Sequence, residues 1–555
     1  MLWLFFSCAE PQQDLPKTLL FSPITPEYLG DTAAEWKTIG FDGFLLSDIM
    51  RNWSDDIWAT DGDPNTHGEV DATFQRVKIC NDRCADHGII DNFIKIAFYS
   101  HVPLWTDISA WNEINEKFAE AAQFAKDSGC RGLALDIEYI NEQYDLEWAG
   151  YTYETYSVSD LRNAAYERGI DLVQSLLAVF PDMVFLTLPE GIEFYGALAT
   201  DFFTGMLNGM AINTAPGGLF LLTERSYSMT SSLGLIHYAL DLEQTLTQVL
   251  DDQTRKYWSK YCGIVLGGWP LGYYRKMINE TGEFLGYSGR EETFGNRVVG
   301  SYADKSGRFS PTEFRSQYAG LLLGSKRYCW IYGHGATWWH FSAEDLQRYG
   351  KVGNSALPVD DRLDEYKAVV REKWRGEEKL EEMSRLYYRG EIELFIESMG
   401  FIKDYYVIGP FGCRNCNNFD RVFPPENHIA LGKTVEYNGN SLKWIPATAN
   451  SKTGYLDLTR CFQTTDWVCA YILVRFESPD RKEAQIRLGT NDTATLWFNG
   501  VKILSKNVER RAAPDSDILP IQLKGGMNTI LVKVCNTEFD WGLYLRITDR
   551  QGDPF

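Results

Sequence analysis

The 555-residue sequence predicts a multidomain protein: a (β/α)8 TIM barrel, then a charged helical linker, then an antiparallel β-sandwich. Three observations predict it. Up to about residue 350, short apolar runs alternate with helical stretches, the texture of parallel β/α units. The text then turns charged and helical to about residue 400, and beyond residue 405 short β-type runs recur every ten or so residues between turn signals. No glycine fingerprint for a dinucleotide or phosphate loop follows any of the early runs, which removes the main argument for an open doubly wound sheet.

Residues 1–14 read as a leader. Met1 to Phe6 is apolar, Ser7-Cys8 follows, and Ala9 to Gln13 is polar; this resembles the end of a bacterial lipoprotein signal with Cys8 as the lipidated residue, although a positive n-region is missing. The expectation is a secreted, periplasmic or lipid-anchored protein. No later stretch is long and apolar enough to span a membrane.

The barrel is expected over residues 15–350. Its eight strand candidates are Thr18–Pro23, Gly40–Asp48, Phe93–Ser100, Gly132–Glu138, Met183–Leu188, Leu219–Thr223, Gly263–Leu266 and Tyr328–Tyr332. Helical stretches between them include Asp31–Thr38, Ile108–Lys126, Ser159–Val179 and Leu233–Lys260. The fourth strand says most. Leu133, Leu135 and Ile137 share one face and Gly132, Ala134, Asp136 and Glu138 the other. In a closed barrel the bulky face packs on helices, the small residues fill the interior, and both acids emerge at the carboxyl end where such barrels keep their chemistry.

Residues 351–404 form the linker, in which Asp361 to Glu365 and Glu377 to Glu382 place opposite charges at helical spacing and predict a solvated connecting helix. The sandwich occupies 405–555, with strands expected at Tyr406–Ile408, Tyr455–Leu458, Val468–Phe476, Ala484–Leu488, Ala494–Phe498, Ile518–Leu523, Asn528–Val534 and Trp541–Ile547. Asn499-Gly500 and Gly525-Gly526 mark turns.

Composition narrows the function. A net charge of -22 and a pI near 4.9 argue against a nucleic-acid partner, whose phosphates would be repelled. Aromatic residues are 14% of the chain, with 17 Trp and 30 Tyr, and sugar rings stack on such faces. The 11 cysteines show no zinc-like spacing; Cys80/Cys84 and Cys413/Cys416 are the close pairs, and Cys130, Cys262 and Cys329 read as small buried hydrophobes. The histidines show no ligand spacing either, so neither metal nor cofactor is expected.

The strand ends supply the candidate site. Strand two ends at Asp48, strand three runs into His101, strand four into Asp136, Glu138 and Tyr139, and strand five into Glu190. Strand six ends in Glu224 and Tyr227, strand seven in Trp269, and strand eight in His334 with Trp338 and Trp339 beyond. Cleaving a glycosidic bond needs one carboxyl to protonate the leaving oxygen and a second to attack or stabilise C1, with rings to hold the sugar. Asp136, Glu138 and Glu190 are therefore the catalytic candidates; the others, with the three tryptophans as stacking platforms, are substrate-binding candidates.

The barrel half resembles TIM-barrel glycoside hydrolases. Arg131 to Glu138 is similar to the fourth-strand D-G-x-D-x-D-x-E motif of chitinase-like hydrolases, keeping Gly132 and Asp136-x-Glu138 and replacing the first two aspartates by Arg131 and Ala134. That resemblance implies Glu138 as the acid, Asp136 orienting a substrate acetamido group, and Tyr227 assisting. A second resemblance, to barrels whose strand-four aspartate is the nucleophile, implies Asp136 with Glu190 or Glu224. The other half resembles the galactose-binding-like β-sandwich modules appended to bacterial polysaccharide-degrading enzymes, on Gly489 to Asp492, Leu496 to Gly500, Gly526 to Val534 and Trp541 to Arg546. The expected partner is a polysaccharide or oligosaccharide. The rival readings are a non-catalytic polysaccharide-binding surface protein and, third, a polysaccharide lyase.

Overall fold

Short, largely apolar strands alternating with helices build a closed parallel barrel in the computed structural model. It describes residues 15–22, 24–47, 49, 67–97, 103–137, 156–188, 196–229, 231–271, 276–278, 284–287, 311–333, 338–339, 343–349, 363–375, 378–412, 418–507, 512, 514–537, 540–549 and 554. The barrel strands are β1 (Lys17–Phe21), β2 (Gly43–Leu46), β3 (Phe93–Ala97), β4 (Gly132–Asp136), β5 (Val184–Leu188), β6 (Leu219–Leu222), β7 (Gly263–Val265) and β8 (Gly267–Gly268). A hairpin of β9 (Lys276–Ile278) and β10 (Phe284–Tyr287) precedes the last barrel strand, β11 (Tyr328–Tyr332). The sheet order is β7-β6-β5-β4-β3-β2-β1-β11-β8. β7 and β8 are one strand interrupted at Leu266: β7 pairs with β6, β8 pairs with β11, and Trp330 N donates to Leu266 O at 3.1 Å, so the sheet returns on itself.

The expected alternation is present. Leu133, Leu135 and Ile137 lie in the outer core under the helices, whereas Ala134 joins Leu19, Leu45, Phe93, Leu186, Leu188, Phe220, Leu222, Val265 and Trp330 in the interior. Gly132 has a steric cause: a Cβ there would overlap the carbonyl oxygen of Val184 on β5. At the amino end Asp91 accepts hydrogen bonds from Lys17 Nζ (2.5 Å) and Tyr328 Oη (2.7 Å), and burial first, then the Asp91 charge, pushes the Tyr328 phenol far up.

Two expectations about the helices need correction. The stretch Leu233–Lys260 is two helices, Ser232–Val249 and Asp252–Tyr261, because Asp251 caps the second by accepting from Gln253 N and Thr254 N at 2.8 and 3.0 Å. The stretch Asp31–Thr38 is present as the helix Ala33–Ile39, with a further helix, Pro26–Asp31, ahead of it. The linker contains helices Leu363–Glu372, Glu378–Tyr388 and Ile392–Met399, and it is not solvated: Leu363, Tyr366, Val370, Met383, Phe395 and Met399 all enter the barrel's outer core. Its charges occupy one side and its apolar stripe the other.

The sandwich pairs a six-stranded with a four-stranded antiparallel sheet around a core that includes Val407, Ile472, Ile486, Leu496, Val532 and Leu545. The Asn499-Gly500 turn, with φ of 49° and 83°, connects Thr493–Phe498 to a strand the sequence did not suggest, Val501–Lys506. The outer face of the larger sheet is also covered: Phe423, Ile429, Leu431, Tyr437 and Trp444 pack over Phe411, Tyr471 and Leu473. The two halves meet at the helix Ser232–Val249. There His237 Nε2 lies 2.8 Å from Thr453 O and the ring stands edge-on to Tyr544 at 5.0 Å, while Arg546 donates to Met399 O at 2.8 Å.

Candidate active site at the carboxyl ends of the barrel strands

β3 and β4 run side by side in register, Lys95 opposite Ala134 and Ala97 opposite Asp136. Both charged residues fall on inward positions, and the diagonal offset brings Lys95 Nζ to 3.2 Å from Asp136 Oδ2, with the two side chains only 4% and 5% exposed. Transferring either charge out of water alone costs about several kcal/mol, so the pair survives only as a pair. Ile137 N donates to Leu188 O at 2.7 Å and carries the β4–β5 ladder one residue beyond Asp136. Asp136 therefore stands within the hydrogen-bonded ladder at the carboxyl end of β4. Sequence reasoning missed Lys95; its signal was a lysine inside the apolar run Phe93-Ile94-Lys95-Ile96-Ala97, on the same alternation as Phe93.

An aromatic wall faces the pair. In the strand order β4 lies half a turn of the barrel from β11, and on that side Tyr227 stacks on Tyr332 with centroids 5.5 Å apart and planes 7° from parallel. Trp269 stands edge-on to Tyr332 at 4.8 Å and to Tyr227 at 5.7 Å, and Phe21 meets Tyr332 at 5.3 Å. Tyr227 and Trp330 are buried, while Phe21, Trp269 and Tyr332 keep part of their surface open. Phe21 and Tyr332 are additions to the sequence-derived set.

The turn after β6 is held from below. The Thr223 and Ser226 hydroxyls share a 2.5 Å hydrogen bond, Ser226 Oγ donates to Gly267 O at 2.7 Å, and Gly267 N returns one to Ser226 Oγ at 3.0 Å. Gln317, buried in the helix Pro311–Gly324, donates through Nε2 to Tyr227 O and Met229 O at 3.0 and 2.9 Å. A Cβ on Gly267 would overlap Thr223 O and come within 2.5 Å of Trp330 Nε1, so this crossing admits only glycine. The network fixes the turn Arg225–Ser228 and with it the backbone of half-buried Glu224 and of Tyr227.

Two of the expected stacking platforms are corrected. Trp338 is 0% and Trp339 2% exposed, both in the outer core: Trp338 lies edge-on to Phe41 and Phe314 at 5.7 and 6.0 Å, and Trp339 packs on Trp36 and Tyr28 at 6.0 and 6.2 Å. The chain beyond β11 folds back over the barrel's outside, and rings covered by other rings offer no face to a sugar. Asp48, His101, Glu138, Tyr139, Glu190 and His334 lie outside the described residues. Among the described residues no group of three or more His, Cys, Asp or Glu side chains is gathered as a metal ion would require, and no helix is long and apolar enough to cross a membrane. Burial pushes the Cys130 thiol up to about 11 and those of Cys262 and Cys329 up to about 12, which makes them packing groups and not nucleophiles.

No protein-family model matches the chain, and no curated protein matches it in sequence. Among solved structures it is similar to a glucosidase from Croceicoccus marinus, at 10% identity and TM-score 0.35, over 97% of this chain and 96% of that one. It is also similar to a psychrophilic glycoside hydrolase family 10 endo-β-1,4-xylanase (11% identity, TM-score 0.33, 64% and 96% covered). A Bacteroidetes-affiliated GH5 cellulase linked with a polysaccharide utilization locus gives 11% identity and TM-score 0.34, over 67% of this chain and 94% of that one. A further match, to an anti-sigma factor domain-containing protein, spans only 36% of that protein's length and 18% of this chain, at 16% identity and TM-score 0.16. At such identities and superpositions these likenesses assign no activity to this chain.

Proposed function

We propose that the barrel hydrolyses glycosidic bonds of a polysaccharide or oligosaccharide by carboxylate acid and base catalysis along a retaining route. One observation carries the reading: Asp136 stands at the carboxyl end of β4 inside the barrel, across from the wall of Tyr227, Trp269 and Tyr332. A carboxylate facing aromatic rings suits a sugar, whose axial hydrogens stack on the rings while its anomeric carbon meets the acid. Asp136 attacks or stabilises C1. Glu138, two residues on, is the favoured general acid and Glu190 the reserve. The sandwich is proposed to hold carbohydrate for the barrel, and the protein to work outside the cytoplasm, secreted, periplasmic or lipid-anchored.

The Lys95 contact favours a second reading. An aspartate neutralised by a lysine is also what a barrel with lost chemistry would retain, which leaves a polysaccharide-binding surface protein. Release of reducing ends across bacterial, algal and animal polysaccharides separates the two. Turnover by the wild-type chain that Asp136→Asn abolishes supports hydrolysis. Binding without turnover on any polymer supports the second reading, and ultraviolet absorbance from an unsaturated product would replace hydrolysis by a lyase reaction.

A further inference from the structure

We infer that Cys469 and Cys535 close into a cross-strand disulfide, a modification site that ties together two central strands of the sandwich beneath their cover. The inference concerns the other half of the molecule and is independent of the hydrolase reading. The strands Val468–Ser478 and Gly526–Asn536 pair antiparallel along their whole length, and that register sets Cys469 directly opposite Cys535. Directly opposed residues on an antiparallel pair hold their Cα atoms about 4.5–5.5 Å apart, within the roughly 4.4–6.8 Å that a disulfide spans. Their side chains also leave the sheet on the same face. Here that face is the outer one of the larger sheet: the two cysteines are 0% and 6% exposed and share one cluster with Phe411, Phe423 and Tyr471.

A second pair of cysteines shows what this placement adds. Cys80 and Cys84 lie one turn apart on the helix His67–Asp86, with their Sγ atoms 4.0 Å apart. A bridge there would close a loop of a single helical turn and take little freedom from the unfolded chain, so little would offset the distortion of the helix. Cys469 and Cys535 are far apart in sequence, and a bridge between them constrains a long loop of the unfolded chain. Their surroundings also favour reaction. The neighbouring Cys469 thiol first, and then the Lys533 ammonium, outweigh the cost of burial and hold the Cys535 thiol below its ordinary value. Lys533 is fixed on the same face, donating to Phe419 O at 2.8 Å and reaching Glu426 Oε1 at 3.3 Å. Burial first, and then Cys535, hold the Cys469 thiol well above its ordinary value. Cys535 is thus the attacking thiolate. It bonds to one sulfur of a small disulfide such as oxidised glutathione and expels one glutathione thiolate, which takes up the proton that Cys535 lost. The Cys469 sulfur then displaces the second glutathione thiolate from Cys535 and hands it a proton. Two protein thiols are oxidised to one disulfide, and the oxidant is reduced to two thiols. Because the pair is buried in the finished sandwich, the exchange takes place while the chain folds, and the closed bridge is shielded from reductant afterwards.

The test refolds the full chain from the reduced, denatured state, once in a mixture of reduced and oxidised glutathione and once in reductant alone. Each product is unfolded in guanidinium with an alkylating agent and no reductant, then cut with trypsin. The glutathione-refolded protein should yield the peptide Cys461–Arg475 joined to Val534–Arg546, lighter than the two together by the hydrogens lost, with Cys461 alkylated. Its Tm should exceed that of the reduced product by about 5 °C or more. While native it should keep the bridge in a reductant that opens it at once in guanidinium. Cys469→Ala and Cys535→Ala should each abolish the Tm difference between the two refolding conditions. Recovery of Cys469 and Cys535 separately alkylated from the glutathione-refolded, folded protein overturns the inference, and so does a bridge from either of them to Cys413, Cys416 or Cys461. The peptide map needs only the wild-type chain, so it decides the matter even where a variant fails to fold.

Discussion

The barrel and the sandwich each bury a carboxylate, and they secure it differently. Asp136 meets a lysine ammonium at 3.2 Å at the mouth of the barrel. Asp515, in the sandwich, is held by one guanidinium fork and a second arginine: Arg546 donates through Nε and Nη2 at 2.7 and 2.6 Å, and Arg487 through Nη1 alone at 2.9 Å. Burial, the largest single influence on Asp515, would raise its pKa, but Arg546 and then Arg487 more than offset it and hold the carboxyl below the ordinary value. Arg546 reaches on to Met399 O, so this fork also joins the sandwich to the linker helices. A guanidinium fork takes both oxygens of a carboxylate at once, whereas an ammonium acts on it as a point charge.

Exchanging the same substitution between the two sites gives the largest expected effects. Asp136→Asn should lower kcat about a thousandfold or more with the fold retained. Asp515→Asn should leave kcat of the folded fraction close to wild type but cost about 3–5 kcal/mol of stability in denaturant unfolding, because buried Arg546 and half-buried Arg487 lose their anion. Since the folded pKa of Asp515 is depressed, its contribution is fully present above the unfolded value of about 3.9 and is lost as pH falls through the lower folded value. Wild type should thus lose stability relative to Asp515→Asn on acidification below about pH 4. A kcat collapse in the sandwich variant, or parallel pH curves, would erase the distinction.

The tryptophans repeat the contrast with rings in place of charges. Trp338→Ala should cost about 3–5 kcal/mol of stability, as for any large buried aromatic. Trp269→Ala, with part of its ring open at the mouth, should shift Tm little and weaken sugar binding by about 1–3 kcal/mol in calorimetry. Reversed outcomes would return Trp338 to the site and place Trp269 in the core.

What the sequence disclosed follows the range of the interactions involved. Period-two alternation is local, so the two faces of Gly132 to Ile137 were legible, as was the Asn499-Gly500 turn. The Lys95–Asp136 contact depends on the register of β3 against β4, which no local pattern carries. Trp338 and Trp339 follow their strand as rim residues do, and only the path of the chain back over the outside puts them in the core. In the linker the charge count hid a readable stripe: Leu363, Tyr366 and Val370 stand at offsets of three and seven, one helix face. The strands Val435–Tyr437 and Asn440–Leu442 are short and largely unburied, too brief for periodicity to register.

The smallest effect expected sharpens the opening contrast most, because it separates fork geometry from burial. Arg162 and Asp201, on the helices Val158–Val179 and Gly196–Ile212, make a two-point fork at 2.7 and 3.0 Å much like that of Arg546 and Asp515. The Arg162 side chain is 52% exposed, whereas that of Arg546 is 2% exposed. Water and salt screen the exposed pair, and ordering the arginine chain offsets part of the attraction, so a double-mutant cycle on Arg162→Ala and Asp201→Asn should give a coupling of about 0.2–1 kcal/mol that shrinks at high ionic strength. The same cycle on Arg546 and Asp515 should exceed it severalfold and respond little to salt. Equal couplings would mean that the fork sets the strength of these pairs, and the difference between Asp136 and Asp515 would then lie in the choice of lysine over arginine alone; unequal couplings assign the difference to burial acting through the fork.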